Sequence, residues 1–366
     1  MAAAYLVIVL DTLQRSGTMT QPKGNRYGVH RVIEPKGVLP QPATRIDNSM
    51  NEIYDNEILC EVTTLNVDSA SFTQIKDQAN GDVDEIKRIM RDIVSKYGKH
   101  KNPVTGSGGM FVGTVKKIGD ALKGKIDLKE GDAIASLVSL SLTPLLLHDI
   151  LDVHIDIDQV DVKAEAILFE SAIYAKVPAD IPAKLALAVL DVAGAPAQTA
   201  RLVKPGDTVL VIGASGKSGL LCAYEAKRRA GVTGKVIGVK HSPKGIELLQ
   251  DAPFVDEVIQ GSAVDALDLL EKVEAVTDGK LCDVIINCVN VDNCEMGSIL
   301  PCKDNGTVYF FSMATSFTKA ALGAEGVGKD ITMIIGNGYT KHHADITLHL
   351  LRESDFIKRE YEKRYL

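Results

Sequence analysis

The chain has 366 residues, of which 45% are hydrophobic and 24% charged. This is the make-up of an ordinary globular protein long enough for two domains with separate cores, and it excludes disordered and fibrous classes. A formal charge of −7, with 10 Tyr, 8 Phe and no Trp, offers neither the clustered cations nor the stacking platforms of nucleic-acid binding, so no nucleic-acid partner is expected.

Residues 1–26 read as a leader foreign to the native protein, since the first 20 differ in character from the rest and Met19 offers an alternative start. The apolar run 2–10 is too short to span a bilayer and follows no Lys or Arg, so no membrane partner and no signal peptide are expected. Residues 27–184 show short apolar strands, such as 57–62 and 110–115, broken by turn residues, the punctuation of a β-rich, barrel-like domain. Between 185 and 337 the period changes. Helical stretches at 183–190, 219–230, 242–250 and 263–276 alternate with β-branched runs at 208–212, 236–239, 284–286, 308–311 and 331–335. Strands separated by helices of this length predict an α/β class with a doubly wound, buried parallel sheet. The stretch 344–361 reads as a helical tail with apolar Ile346, Leu350, Leu351 and Ile357. Six cysteines without a C-x-x-C pair make neither a disulfide framework nor a recognisable zinc site, and a reducing cytoplasm fits them best.

The most informative motif is the strand Thr208–Ile212 running into Gly213, Ala214, Ser215, Gly216, Lys217, Ser218 and Gly219 before a helix. Glycines allow a tight turn and the approach of a pyrophosphate to the backbone, while the helix N-terminus offers N–H groups and a positive dipole end. Gly216-Lys217-Ser218 imitates the end of a triphosphatase loop. However, that loop needs a glycine where this chain has Val211, so a dinucleotide is the better ligand. Lys217 then points either to a phosphate or to solvent. After the next strand, where Asp or Glu usually meets the adenosine ribose, stand Lys240 and His241. A cation there fits a 2′-phosphate and hence NADP, or it is a solvated strand end. Cys288 and Ser312 end strands that face the cofactor crevice in such sheets.

Lys204-Pro205-Gly206-Asp207 before the strand, the glycine turn itself, and the upstream Val115, Ile118, Gly119 and Gly131-Asp132 resemble the medium-chain dehydrogenase/reductase superfamily over nearly the whole chain. The resemblance implies a GroES-like catalytic domain, a Rossmann dinucleotide domain, and a tail (338–366) that returns to the first. Residues 65–72, the turn 213–219 and residues 305–314 are similar to the L-erythro-3,5-diaminohexanoate dehydrogenase family of lysine fermentation. That similarity implies an NAD-dependent amine dehydrogenase acting on a small diamino acid, with NADP kept open by Lys240. A homo-oligomer, a dimer, is expected. A zinc-free quinone or enoyl reductase using NADPH, and a dinucleotide-binding sensor without turnover, are the competing readings.

Zinc enzymes of the superfamily carry a Cys where this chain has Asp68, and Gly-His-Glu where it has Gly108-Gly109-Met110. A catalytic zinc takes three protein ligands, so no zinc is expected. An amine loses hydride from its neutral form and becomes a cationic iminium, which a metal cation opposes. A carboxylate assists by taking the ammonium proton and by facing the developing charge. Asp68 is the candidate base; alternatively, it caps a helix start, with Ser69 and Ser71 as local partners. Arg45 and Asp47 either hold the substrate's carboxylate and distal ammonium or form a surface ion pair. Lys341-His342-His343 offers His342 as a second candidate base or as an ordinary surface residue. The acidic run 149–161 with His148 and His154 alternates with apolar residues, which predicts a strand with one wet face and no metal site.

Overall fold

The computed structural model describes residues 21–312, 314–336 and 338–366. Most of the expected leader, with Met19, lies outside the described residues. The chain divides into two compact units, Met1–Ala183 and Lys184–Leu366.

The first unit carries a small ribbon, β1 (Val32–Glu34) with β2 (Arg45–Ile46), and six longer or edge strands. These are β3 (Glu57–Asn66), β4 (Met110–Ile118), β5 (Ala133–Ser136), β6 (Leu145–His154), β7 (Gln159–Phe169) and β8 (Tyr174–Lys176). They pair antiparallel in the order β6-β7-β3-β4-β5-β8. Alternation puts Ile58, Cys60 and Val62 into one core with Phe111, Val115 and Leu168. The strand-only reading of this region misses two helices, α1 (Ser69–Gln78) and α2 (Val83–Tyr97). In α2, Ile86, Ile89, Met90, Ile93 and Val94 form the buried stripe; Asp82 accepts from Glu85 N at 2.8 Å to start it, and Gly98 at φ 73° ends it. The acidic run lies on the β6–β7 hairpin, where His154 pairs with Asp161 at 2.7 Å and Asp149 with Arg91 at 2.8 Å. Among the described residues no group of three or more His, Cys, Asp or Glu is placed to hold a metal ion.

The second unit opens with α3 (Ala183–Leu190) and α4 (Gly194–Leu202), followed by β9 (Thr208–Ile212), α5 (Lys217–Ala230), β10 (Lys235–Lys240), α6 (Pro243–Gln250) and β11 (Glu257–Gln260). Then come α7 (Ala266–Thr277), β12 (Cys282–Asn287), α8 (Glu295–Ile299), β13 (Cys302–Phe310), α9 (Phe317–Gly326) and β14 (Thr332–Ile335). All pairings are parallel, in the order β11-β10-β9-β12-β13-β14. The chain therefore winds outward in both directions from β9 and β12, and the loops after those two strands flank the crevice where such sheets take ligands. The tail forms α10 (His343–Glu353) and α11 (Asp355–Tyr365), separated at Ser354, whose hydroxyl accepts from Ile357 N. The tail packs within the second unit. Leu350, Leu351, Ile357 and Tyr361 are buried there, α10 lies against α4 and α5, and Phe356 meets Phe254 edge to face with ring centres 5.5 Å apart.

Candidate functional site

In the second unit, the buried strand β9 delivers the chain to Gly213, whose φ of 81° favours glycine. Gly213 N and Ala214 N both reach Val239 O, at 2.9 and 3.2 Å, and Gly216 N closes the turn onto Gly213 O at 2.9 Å. The other two glycines serve different ends. A Cβ on Gly219 would lie 2.2 Å from Gly213 O, so this glycine lets α5 pack against the strand. Gly216 has an ordinary φ of −75°, and a Cβ there would meet only Gly213 O, at 3.1 Å. Its backbone conformation does not demand glycine; the missing side chain leaves the face above the helix N-terminus open. Such a cradle fits a pyrophosphate.

The surroundings of the turn are organised by packing. The Lys240 stem and the Ser215 hydroxyl converge on Gly245 in the first turn of α6, where a Cβ would lie 2.5 Å from Lys240 Cγ and 2.6 Å from Ser215 Oγ. His241 is exposed, and its carbonyl accepts from Gln260. Ser218 is buried in the first turn of α5. Lys217 has a partner that neither sequence reading foresaw, since its ammonium pairs with Asp191 at 2.7 Å and lies 5.7 Å from the Tyr365 ring centre. Cys288 follows β12, with its sulfur 3.9 Å from that of Cys222, and Val289 beside it packs on Gly213. Ser312 follows β13 and approaches Asn290 Oδ1 at 3.4 Å.

In the first unit, Asp68 stands at the N-cap of α1 but makes no capping bond to that helix. Its Oδ2 accepts instead from Gly108 N at 3.0 Å. The loop carrying Gly108 is stapled to α1. Ser71 Oγ lies 2.6 Å from Thr105 Oγ1 and 2.5 Å from Ser107 Oγ, and Asn102 donates to Ser71 O and Gln74 Oε1. Ser69 Oγ donates to Asp158 at 2.6 Å. Backbone crowds the two glycines that replace a metal-binding Gly-His. A Cβ would lie 2.5 Å from Ser141 N at Gly108 and 2.0 Å from Asn66 O at Gly109. Beside this loop His100 is wholly buried, and burial pushes its imidazole down to about 4.

The profile of the L-erythro-3,5-diaminohexanoate dehydrogenase N-terminal domain matches residues 30–178. Over 344 residues the chain is 61% identical to the L-erythro-3,5-diaminohexanoate dehydrogenase of Acetoanaerobium sticklandii, covering 94% of this chain and 100% of that protein. The chain belongs to the L-erythro-3,5-diaminohexanoate dehydrogenase family. The family member of Fusobacterium nucleatum is 59% identical over 94% of this chain and 99% of its own. Among solved structures, the quinone oxidoreductase of Pseudomonas syringae pv. Tomato superposes with a TM-score of 0.51 at 16% identity, covering 88% of this chain and 85% of that one. That likeness shows the shared fold, a GroES-like unit and a Rossmann unit.

The remaining residues singled out from this family member's sequence fall as follows. Arg45 is exposed on β2, and the surface pair with Asp47 is not what forms. Asp47 binds Arg31 at 3.2 Å and Ser49 through both its N–H and its hydroxyl, because Arg31 lies buried within reach. His342 is exposed, 3.6 Å from Asp345. The buried histidine of that pair is His343, edge-on to Tyr339 and pushed down by burial. Gly108 is singled out in the sequence only as the place of a missing metal ligand, and Asp191, Tyr361 and Arg364 carry no local signal at all. Their partners lie 26 to 149 positions away, and no local spacing marks them.

Proposed function

We propose that the chain oxidises (3S,5S)-3,5-diaminohexanoate to 5-amino-3-oxohexanoate and ammonia, using NAD. Near-full-length identity to relatives named for this substrate supports the substrate. The observation that carries the chemistry is Asp68, a carboxylate with one oxygen on the Gly108 N–H, at the position where a zinc enzyme keeps a metal ligand. When bound, the nicotinamide supplies the hydride acceptor. Asp68 takes a proton from the 3-ammonium, leaving the lone pair that expels hydride from C3. The carboxylate then faces the cationic C=N bond, which lowers the cost of the developing charge. Water adds to that carbon and ammonia leaves, giving the ketone. Ser69 holds the start of α1 through Asp158, and Arg45 is the proposed partner of the substrate carboxylate.

Gly213, Ser215, Gly216, Ser218 and Gly219 form the proposed pyrophosphate cradle, with Cys288 and Ser312 at the crevice edge. The preference for NAD follows the family resemblance. Kinetics at least about tenfold better with NADP, a difference of about 1.4 kcal/mol, would reverse it in favour of Lys240 reading a 2′-phosphate. The free thiols of Cys60, Cys222, Cys282, Cys288, Cys294 and Cys302 suit a reducing cytoplasm. A dimer is supported by β14, an edge strand that ends in exposed Ile335, which a second copy would cover. The deciding assay follows NADH formed on adding the diamine. NADPH-dependent quinone reduction without amine oxidation, or cofactor binding without turnover, would sink the proposal.

A further inference from the structure

The last helix of the chain touches the backbone of the glycine turn at two carbonyls. The hydroxyl of Tyr361, whose ring is fully buried, donates to Lys217 O, and Arg364 Nη2 donates to Ser215 O at 3.1 Å. In a planar trans peptide the C=O and the N–H point in opposite directions. Holding Lys217 O therefore orients the N–H of Ser218, one of the first-turn donors that a helix leaves without an intrahelical acceptor. Holding Ser215 O orients the N–H of Gly216, which closes the turn onto Gly213 O at 2.9 Å. A donor on a carbonyl also polarises its peptide and strengthens the N–H on the far side.

We propose that Tyr361 and Arg364 are positioning residues for the dinucleotide, fixing from α11 the two peptide planes whose N–H groups shape the phosphate cradle. The proposal rests on the dinucleotide reading of the glycine turn. It makes the last helix a working part of the cofactor site, although neither side chain has to touch the ligand.

The test titrates wild type, Tyr361→Phe, Arg364→Met and Phe356→Leu with NADH, read by the fluorescence of the reduced cofactor, and measures KM for NAD, kcat and Tm. Phe356 lies on the same helix but meets Phe254 edge to face, so Phe356→Leu loosens the docking of the helix without removing either carbonyl bond. Losing one hydrogen bond predicts NADH affinity about three- to tenfold weaker in Tyr361→Phe, with KM for NAD raised equally and kcat at saturating cofactor nearly unchanged. Arg364→Met should move the same way. Phe356→Leu should lower Tm and leave NADH affinity at the wild-type value. Unchanged affinity in Tyr361→Phe overturns the clamp, and so does equal weakening in Phe356→Leu. A wild-type protein that binds no NADH overturns the dinucleotide reading itself, and the clamp with it.

Discussion

Replacing Asp68 by Asn preserves size and the acceptor oxygen for Gly108 N while removing charge and basicity. A positioned base contributes roughly 10²–10⁴-fold to proton transfer, so turnover in Asp68→Asn should fall at least about a hundredfold with NADH affinity little changed. Steady-state kinetics decide it. Near-normal turnover would move the search for a base to His342. His100 makes a separate prediction at the same scale. Its folded pKa, about 4, lies below the ordinary imidazole value, so the unfolded chain binds the extra proton between roughly pH 6.5 and 4. Stability is fully present above that window and falls as pH drops through it, by up to about 3 kcal/mol from this one group. Urea midpoints at pH 7, 5.5 and 4.5 should show the slope, and His100→Leu should flatten it.

The turn and the elements flanking it separate two kinds of glycine. In Gly216→Val the added side chain occupies the open face of the cradle, so dinucleotide binding should weaken at least about tenfold. The ordinary φ at that position keeps the stability change within about 1 kcal/mol. In Gly219→Val the side chain meets the backbone of Gly213 and Ala214, and the loss should be about 2–4 kcal/mol of stability, seen as a lowered Tm. Equal Tm values for the two variants would contradict the division of roles. A second structural element is the Arg31–Glu57 pair at the start of β3, both groups buried, joined at 2.8 and 2.7 Å, with Arg31 also on Ser49 O and Glu52 O. Burial works against the charge on Glu57, but the bonds from Arg31 and His30 outweigh it and hold the carboxyl below its usual range. Its stabilising share is therefore present at neutral pH and lost as pH falls through the folded pKa. Glu57→Gln strands the Arg31 charge and should cost about 3–5 kcal/mol in chemical denaturation.

Across the whole molecule, an assembly through β14 would extend the parallel sheet of each copy and cover Ile335 at the end of that edge. A lysine at position 335 would place an ammonium in such a contact, so Ile335→Lys should shift a wild-type dimer to monomer in sedimentation velocity, with the fold retained. A wild-type monomer at micromolar concentration would refute the assembly. The reaction assigned to the whole enzyme uses no Lewis acid. Activity should therefore survive exhaustive chelation, and recovery only on adding zinc would contradict the mechanism built on Asp68.

The β9–turn–α5 unit and the alternation of strands and helices after residue 184 were legible because their causes are local: β-branched runs, helical spacing, and glycines at the turn. Helix α2 was equally legible, with Asp82 before it, an apolar stripe along it and Gly98 after it, yet the strand pattern around it drew the reading to β structure. Asp68 could be singled out by position and chemistry, but its role as a helix cap or as a held carboxylate depended on Gly108, 40 residues on. The same limit hid Tyr361 and Arg364, whose carbonyl partners lie 144 and 149 residues away, and packing, not spacing, makes His343 and not His342 the buried histidine. Period and turn chemistry act between neighbours up to about one helical turn apart, so the chain by itself determined the elements and the glycine cradle. Which backbone groups are left to be satisfied, and by which distant side chain, is settled only when packed elements exclude water from them.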